Sequence, residues 1–110
     1  MIDETIAKIE QQLNSSQTIR PERREELLEL LETLKAEVST LSTTHEEQAA
    51  SIARFTEVSA HEATRTTQDQ QLLDLSLEGL RSSARGFEES HPKLVQIVNS
   101  ISNTLSNLGI

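Results

Sequence analysis

Residues 73–110 read LDLSLEGLRSSARGFEESHPKLVQIVNSISNTLSNLGI. Within this stretch Leu73, Leu77, Leu80, Ala84, Phe87, His91, Leu94, Val98, Ile101, Leu105 and Leu108 fall alternately four and three residues apart, and all but His91 are apolar. A helix turns once in about 3.6 residues, so this spacing gathers the set onto one side of it. The run therefore specifies helices that pack through a heptad seam, as coiled coils and bundles do. Leu73, Leu77, Leu80, Phe87, His91, Leu94, Val98, Ile101, Leu105 and Leu108 are the candidates for core or interface.

Ser90-His91-Pro92 interrupts that seam. An interior proline loses a hydrogen bond and clashes with the carbonyl four residues back, here Glu88, at a cost of about 3 kcal/mol. Ser90 can cap a new helix with Pro92 in its first turn. Two readings stay open: a break with chain reversal, or a kinked helix that keeps the seam continuous. Beyond Lys93 no charged side chain follows; the polar positions are Gln96, Asn99, Ser100, Ser102, Asn103, Thr104, Ser106 and Asn107. A solvated helix carries Lys and Glu on its outer face, so a charge-free one is expected to be covered on more than one side, centrally in the bundle or in a subunit interface. Gly79 lies off the seam and suits close packing, Gly86 suits a helix ending, and Gly109 suits the position just past the last helix.

The same periodicity recurs upstream. Ile2, Ile6, Ile9 and Leu13 define a first helix over about 2–13, with Asp3 and Glu4 at its positive end, and Asn14 to Gln17 end it. Pro21 opens a second helix over about 21–42, whose seam is Leu27, Leu31, Leu34, Val38 and Leu41, widened by Leu28 and Leu30. Its outer face carries Glu22, Glu25, Glu26, Glu29 and Glu32. Thr43 with Glu46, and Thr44 with Glu47, match a capping box, which marks a boundary before a third helix over about 45–65. The alternative is one continuous long helix. The third helix has a small-residue stripe (Ala49, Ala53, Thr56, Ala60, Ala63) flanked by Ile52, Phe55 and Val58. Such a stripe buries little area, so this helix is expected to be the least stable. Thr67 with Gln70 is a further capping box, before a fourth helix over about 68–88 and a fifth over about 92–108.

The chain has 110 residues, 35% of them hydrophobic, with Phe55 and Phe87 as its aromatic side chains and few Gly or Pro. This suits one domain with an aliphatic core and excludes turn-rich sheet. The expected fold is all-α: a single bundle of four to five helices, or long helical hairpins, with the second, fourth and fifth helices as its core. A net charge of −8 is the wrong sign for a nucleic-acid binder. No segment reaches the roughly 18 continuous apolar residues of a membrane span, and there is no signal-peptide pattern at the start. With no cysteine, a disulfide or thiolate zinc site is excluded and the cytoplasm is the expected compartment.

The run Gly86-Phe87-Glu88-Glu89-Ser90-His91-Pro92-Lys93-Leu94, with the ending Leu105-Ser106-Asn107-Leu108-Gly109-Ile110, resembles the bacterial family known as domain of unknown function 4404. The pattern is similar to Phe-Glu, a short spacer, Ser/Glu-His-Pro, an apolar helix and a Leu-x-Asn-Leu/Met-Gly-Ile end. The leucine-rich helix after Pro21 is also similar, whereas the middle, about 42–71, is longer than in the shortest members. The resemblance implies a small soluble helical protein and no catalytic residues.

No constellation for chemistry stands out. His91, on the seam beside a proline, is either a pH-sensitive joint or partner contact, or a capping and packing histidine. Glu57 and His61 can share a helix face; a surface charge ladder explains them more simply than a metal. Arg20, Arg23 and Arg24 form a small basic cluster whose default role is ion pairing within the helix. The sequence thus points to no enzyme, metal or cofactor. It points to a structural or interaction module that self-associates as a homodimer or higher through its seams. The alternative is an acidic adaptor that docks a basic protein partner along Glu22–Glu32. Membrane attachment by the fifth helix is disfavoured, because it lacks the Lys, Arg and Trp of interfacial helices.

Overall fold

Helices form where the periodicity places them. In the computed structural model, which describes residues 2–108, they are α1 (Ile2–Ser15), α2 (Pro21–Ser42), α3 (Glu46–Thr64), α4 (Gln70–Ala84) and α5 (Pro92–Asn107), and no strand occurs among the described residues. The fold is an all-α bundle. α2, α3, α4 and α5 pack side by side in a closed square, in the order α2–α3–α4–α5 and back to α2, and α1 lies in the outer groove between α2 and α3. The molecule measures 37 × 24 × 21 Å. The long dimension is about that of α2, whose 22 residues span roughly 33 Å at 1.5 Å per residue.

The leucine seams turn inward. Leu27, Leu31, Leu34, Val38 and Leu41 of α2 are buried, together with Leu73, Leu77, Leu80, Leu94, Val98, Ile101 and Leu105 of α4 and α5. Leu28 and Leu30 widen the stripe as anticipated and are half-buried against the core. Helix α1, too short to persist alone, contributes Ile6, Ile9 and Leu13 to the same core.

Helix α3 departs from expectation. It touches all four other helices, so the core does not belong to α2, α4 and α5 alone. Its stripe of Ala49, Ala53, Thr56, Ser59, Ala60 and Ala63 is fully buried. Small side chains contribute little area each, but they let four neighbours approach one backbone closely. The structure thus gives α3 the central position that its weak apolar pattern concealed.

The ends of the helices also differ from the sequence reading. α4 stops at Ala84, not near Glu88, because Gly86 adopts φ +101°. Only glycine takes that conformation cheaply. The Gly86 N–H donates to both carboxylate oxygens of Glu88 at 2.9 and 3.2 Å, closing the turn. The seam is therefore two seams on two helices, and the chain reverses between α4 and α5 to pack them together. His91, not Ser90, holds the position before α5 and makes no side-chain cap, with Pro92 at the first helical position. None of the three Thr-based capping boxes forms. The residue preceding α3 is His45, which makes no side-chain cap, and the hydroxyl of Thr43 bonds back to the Thr40 carbonyl at 2.8 Å. At α4 the cap is Asp69, whose carboxylate accepts from the N–H groups of Gln71 and Leu72 at 3.0 and 3.2 Å. A carboxylate next to the helix's positive end outcompetes a neutral hydroxyl two residues earlier. Asp69→Ala is expected to lower the unfolding free energy by about 1 kcal/mol in a urea titration. Gly109, proposed to end the last helix, lies outside the described residues.

The charge-free helix α5 packs against α2, α4 and, more lightly, α3. It buries Leu94, Ile97, Val98, Ile101, Ser102, Thr104 and Leu105, and shows solvent a narrow strip of amides, Gln96, Asn99, Asn103 and Asn107.

Candidate functional site: an apolar ridge on α3 and α4

The sequence-derived interface or core candidates lie inside one chain. Leu73, Leu77, Leu80, Leu94, Val98, Ile101 and Leu105 are buried in the bundle, while Phe87, His91 and Leu108 are half-buried. The buried seven already have partners in their own chain, so they do not form a free surface.

His91 belongs to a small ring cluster at one end of the bundle. Phe87 stands edge-on to His45 and to His91, with ring centroids 5.4 and 5.6 Å away. The two histidines occupy the same local structure. Each precedes a helix with φ near −137° and ψ 65° (−136° and −138°). Each also shares a hydrogen bond between Nδ1 and the hydroxyl of the preceding residue, Thr44 at 2.8 Å and Ser90 at 2.9 Å. The cluster thus ties the α2–α3 turn to the α4–α5 turn. His91 thus packs edge-on against Phe87.

Other singled-out residues are structural too. Arg23 pairs with Glu26 at 3.1 Å, as ion pairing within the helix anticipates. Arg24 does something different: its guanidinium donates to the carbonyls of Leu13 and Ser16 at 3.0 and 2.6 Å. It thereby caps the end of α1 from α2. His61 sits 3.3 Å from the Gln12 amide and 4.0 Å from Glu62, and it lines the groove between α1 and α3 together with Glu57. No group of three or more His, Cys, Asp or Glu able to hold a metal occurs among the described residues. Among the described residues no helix is long and apolar enough to cross a membrane.

What the bundle leaves outside is a set of large apolar side chains on two neighbouring helices. Phe55 and Val58 on α3 are 39% and 47% exposed, and Leu72 and Leu75 on α4 are 44% and 61% exposed. Their register follows from Gly79. A Cβ built there would collide with the Phe55 ring, so the ring lies directly over the α4 backbone. Phe55 is nine residues before the end of α3 and Gly79 nine after the start of α4, as an antiparallel pair requires. The next turn of each helix brings Val58 level with Leu75, and Leu72 level with Glu62. The four side chains form one ridge along the outer seam of α3 and α4. Phe55 and Val58 stood out in the sequence only as flanks of a weak stripe; Leu72 and Leu75 were hidden beside the stronger seam. The spacing of Leu72, Leu75 and Gly79 is the signal that marks them as a second face.

The outer surface beside this ridge carries both signs: Glu47, Arg54 and His61 are exposed on α3, and Asp74 and Glu78 on α4 with Arg85 just past its end. Arg65 is held by Glu62 at 2.9 Å, whereas Glu78 meets Arg85 only at 3.8 Å between two exposed side chains. Arg54 forms no ion pair among the described residues.

Comparison with curated proteins and with solved structures finds no match. A family profile, described as domain of unknown function (DUF4404), matches residues 27–110. The match leaves α1 and residues 21–26 of α2 outside. Covering most of the chain and four of its five helices, it establishes that this protein belongs to the DUF4404 family.

Proposed function

We propose that this chain is a non-catalytic helical module that acts by protein–protein association, first of all with copies of itself as a homodimer or higher oligomer. The observation that supports this is the exposed ridge of Phe55, Val58, Leu72 and Leu75 on adjacent helices. Contiguous large apolar side chains on a small polar-surfaced protein mark association sites, unlike single scattered ones. Because the seam leucines are already packed within one chain, association uses the surface they leave over. The absence of cysteine from the sequence suits the cytoplasm as the place of action. Light scattering of the full chain between about 10 μM and 1 mM tests the reading, with a weak dimer in the micromolar range as the expectation. The apparent mass should exceed the monomer's 12.3 kDa and rise with concentration. A constant monomer mass would overturn it.

A second reading rests on α2. Glu22, Glu25, Glu29 and Glu32 are exposed and make no ion pair among the described residues, which leaves a strip of free carboxylates for a basic protein partner. Capture through that strip should weaken steeply between about 50 and 500 mM salt, because exposed charges are screened beyond a Debye length. Salt-independent capture would exclude it.

A further inference from the structure

We propose that α1 is a releasable strap: it lifts as one unit out of the groove between α2 and α3 while the four helices beneath it stay folded. This goes beyond the association reading and does not depend on it. Topology supports it first. α2, α3, α4 and α5 close their square without α1, which packs against α2 and α3 and reaches neither α4 nor α5 among the described residues. Lifting it breaks no contact between the other four.

Little burial holds the strap down. α1 orders 14 residues and buries Ile6, Ile9 and Leu13, whereas α4 buries five residues out of 15 and α5 seven out of 16. The entropy cost grows with the number of residues fixed and the hydrophobic gain with the area buried, so α1 has a smaller surplus than either. The α3 wall of the groove adds little. The Gln12 amide lies 3.3 Å from His61, and Lys8 and Glu57 line the same cleft, so α1 runs parallel to α3. Ala53 and Ala60, one turn either side of Glu57, fall on that side of α3 and are buried. Their single methyl groups expose little apolar area when α1 leaves.

A hinge and a latch lie together at one end. Residues 16–20 link α1 to α2. Ile19 is buried in the core, which anchors the α2 side of the link. Gln17 and Thr18 before it are exposed, so the chain can turn there. Beside them Arg24 reaches from α2 to the carbonyls of Leu13 and Ser16 at 3.0 and 2.6 Å. One side chain thus latches the end of the strap to the square.

Native-state hydrogen exchange of the full chain, read residue by residue at low urea concentrations, tests the proposal. The amides of residues 6–15 should share one protection factor, at least about 100-fold below those at the centres of α4 and α5, and one urea dependence, shallower than theirs because less surface opens. Protection equal to that of α4 and α5 would overturn the proposal. So would protection that fades gradually towards Ile2 without urea dependence, which is the fraying of a helix end. Ile9→Asp, which sets a carboxylate against the buried groove, should leave α1 unprotected while α2, α3, α4 and α5 keep their protected amides and most of the helical circular dichroism. Global unfolding by this substitution would also overturn the proposal, because the square would then depend on its strap.

Discussion

Leu80→Ala is expected to lower the unfolding free energy by about 2–5 kcal/mol, whereas Leu75→Ala, on the same helix, should change it by no more than about 0.5 kcal/mol. The two leucines differ only in the direction they face. Leu80 is 0% exposed and lies in the continuous core with Leu34, Leu73 and Leu94. Truncating it removes the transfer free energy of three carbons and leaves a cavity that close-packed neighbours cannot fill. A domain of this size has about 5–15 kcal/mol of stability in all, so the change is a large part of the total. Leu75 projects outward from the ridge and leaves no cavity when shortened. Urea denaturation followed by far-ultraviolet circular dichroism checks both. Equal effects would mean that the inward face of α4 has been assigned incorrectly.

Arg24→Ala should produce the second large effect, about 2–3 kcal/mol, concentrated on one helix. The Arg24 guanidinium donates to the Leu13 and Ser16 carbonyls, groups that the end of α1 leaves without helical partners. Hydrogen bonds from a charged donor contribute about 1.5–3 kcal/mol each when buried, and the partial exposure of this pair lowers their sum to about 2–3 kcal/mol. Without Arg24 these carbonyls lose their cap and α1 loses its link to α2. Amide hydrogen exchange should therefore accelerate along residues 6–15 far more than in α4 and α5. Arg24→Lys should recover little, since one ammonium does not reproduce the planar fork that spans both carbonyls. Uniform acceleration across all helices would contradict the local role.

The sequence displayed some levels of this structure better than others. The seams of α2, α4 and α5 were legible because each places a bulky aliphatic residue every three or four positions, and a helix has one way to use such a pattern. The start of α2 at Pro21 and of α5 at Pro92 was legible because proline lacks the N–H that the first turn does not need. Caps were harder. Thr43, Thr44, Thr67 and Ser90 all match cap chemistry, but Asp69 takes one place by charge, and two others fall to histidines packed against Phe87. The role of α3 was obscured because small residues signal close approach only when the neighbours are known. Arg24 was obscured for a similar reason: its partners are backbone carbonyls on another helix, which no residue pattern announces. The candidate site was least visible, since Leu72 and Leu75 are read as part of the strong seam beside them until burial separates the two faces.

The central physical claim is that the leucine seams are satisfied within one chain and that association happens on a different face. Dependence of the urea midpoint on protein concentration tests it most directly, measured between about 0.1 and 5 μM, well below the association range. If the seams close the bundle within each molecule, the midpoint stays constant across that fifty-fold range. If the seams instead pair between chains, unfolding is coupled to dissociation and the midpoint climbs with every increase in concentration.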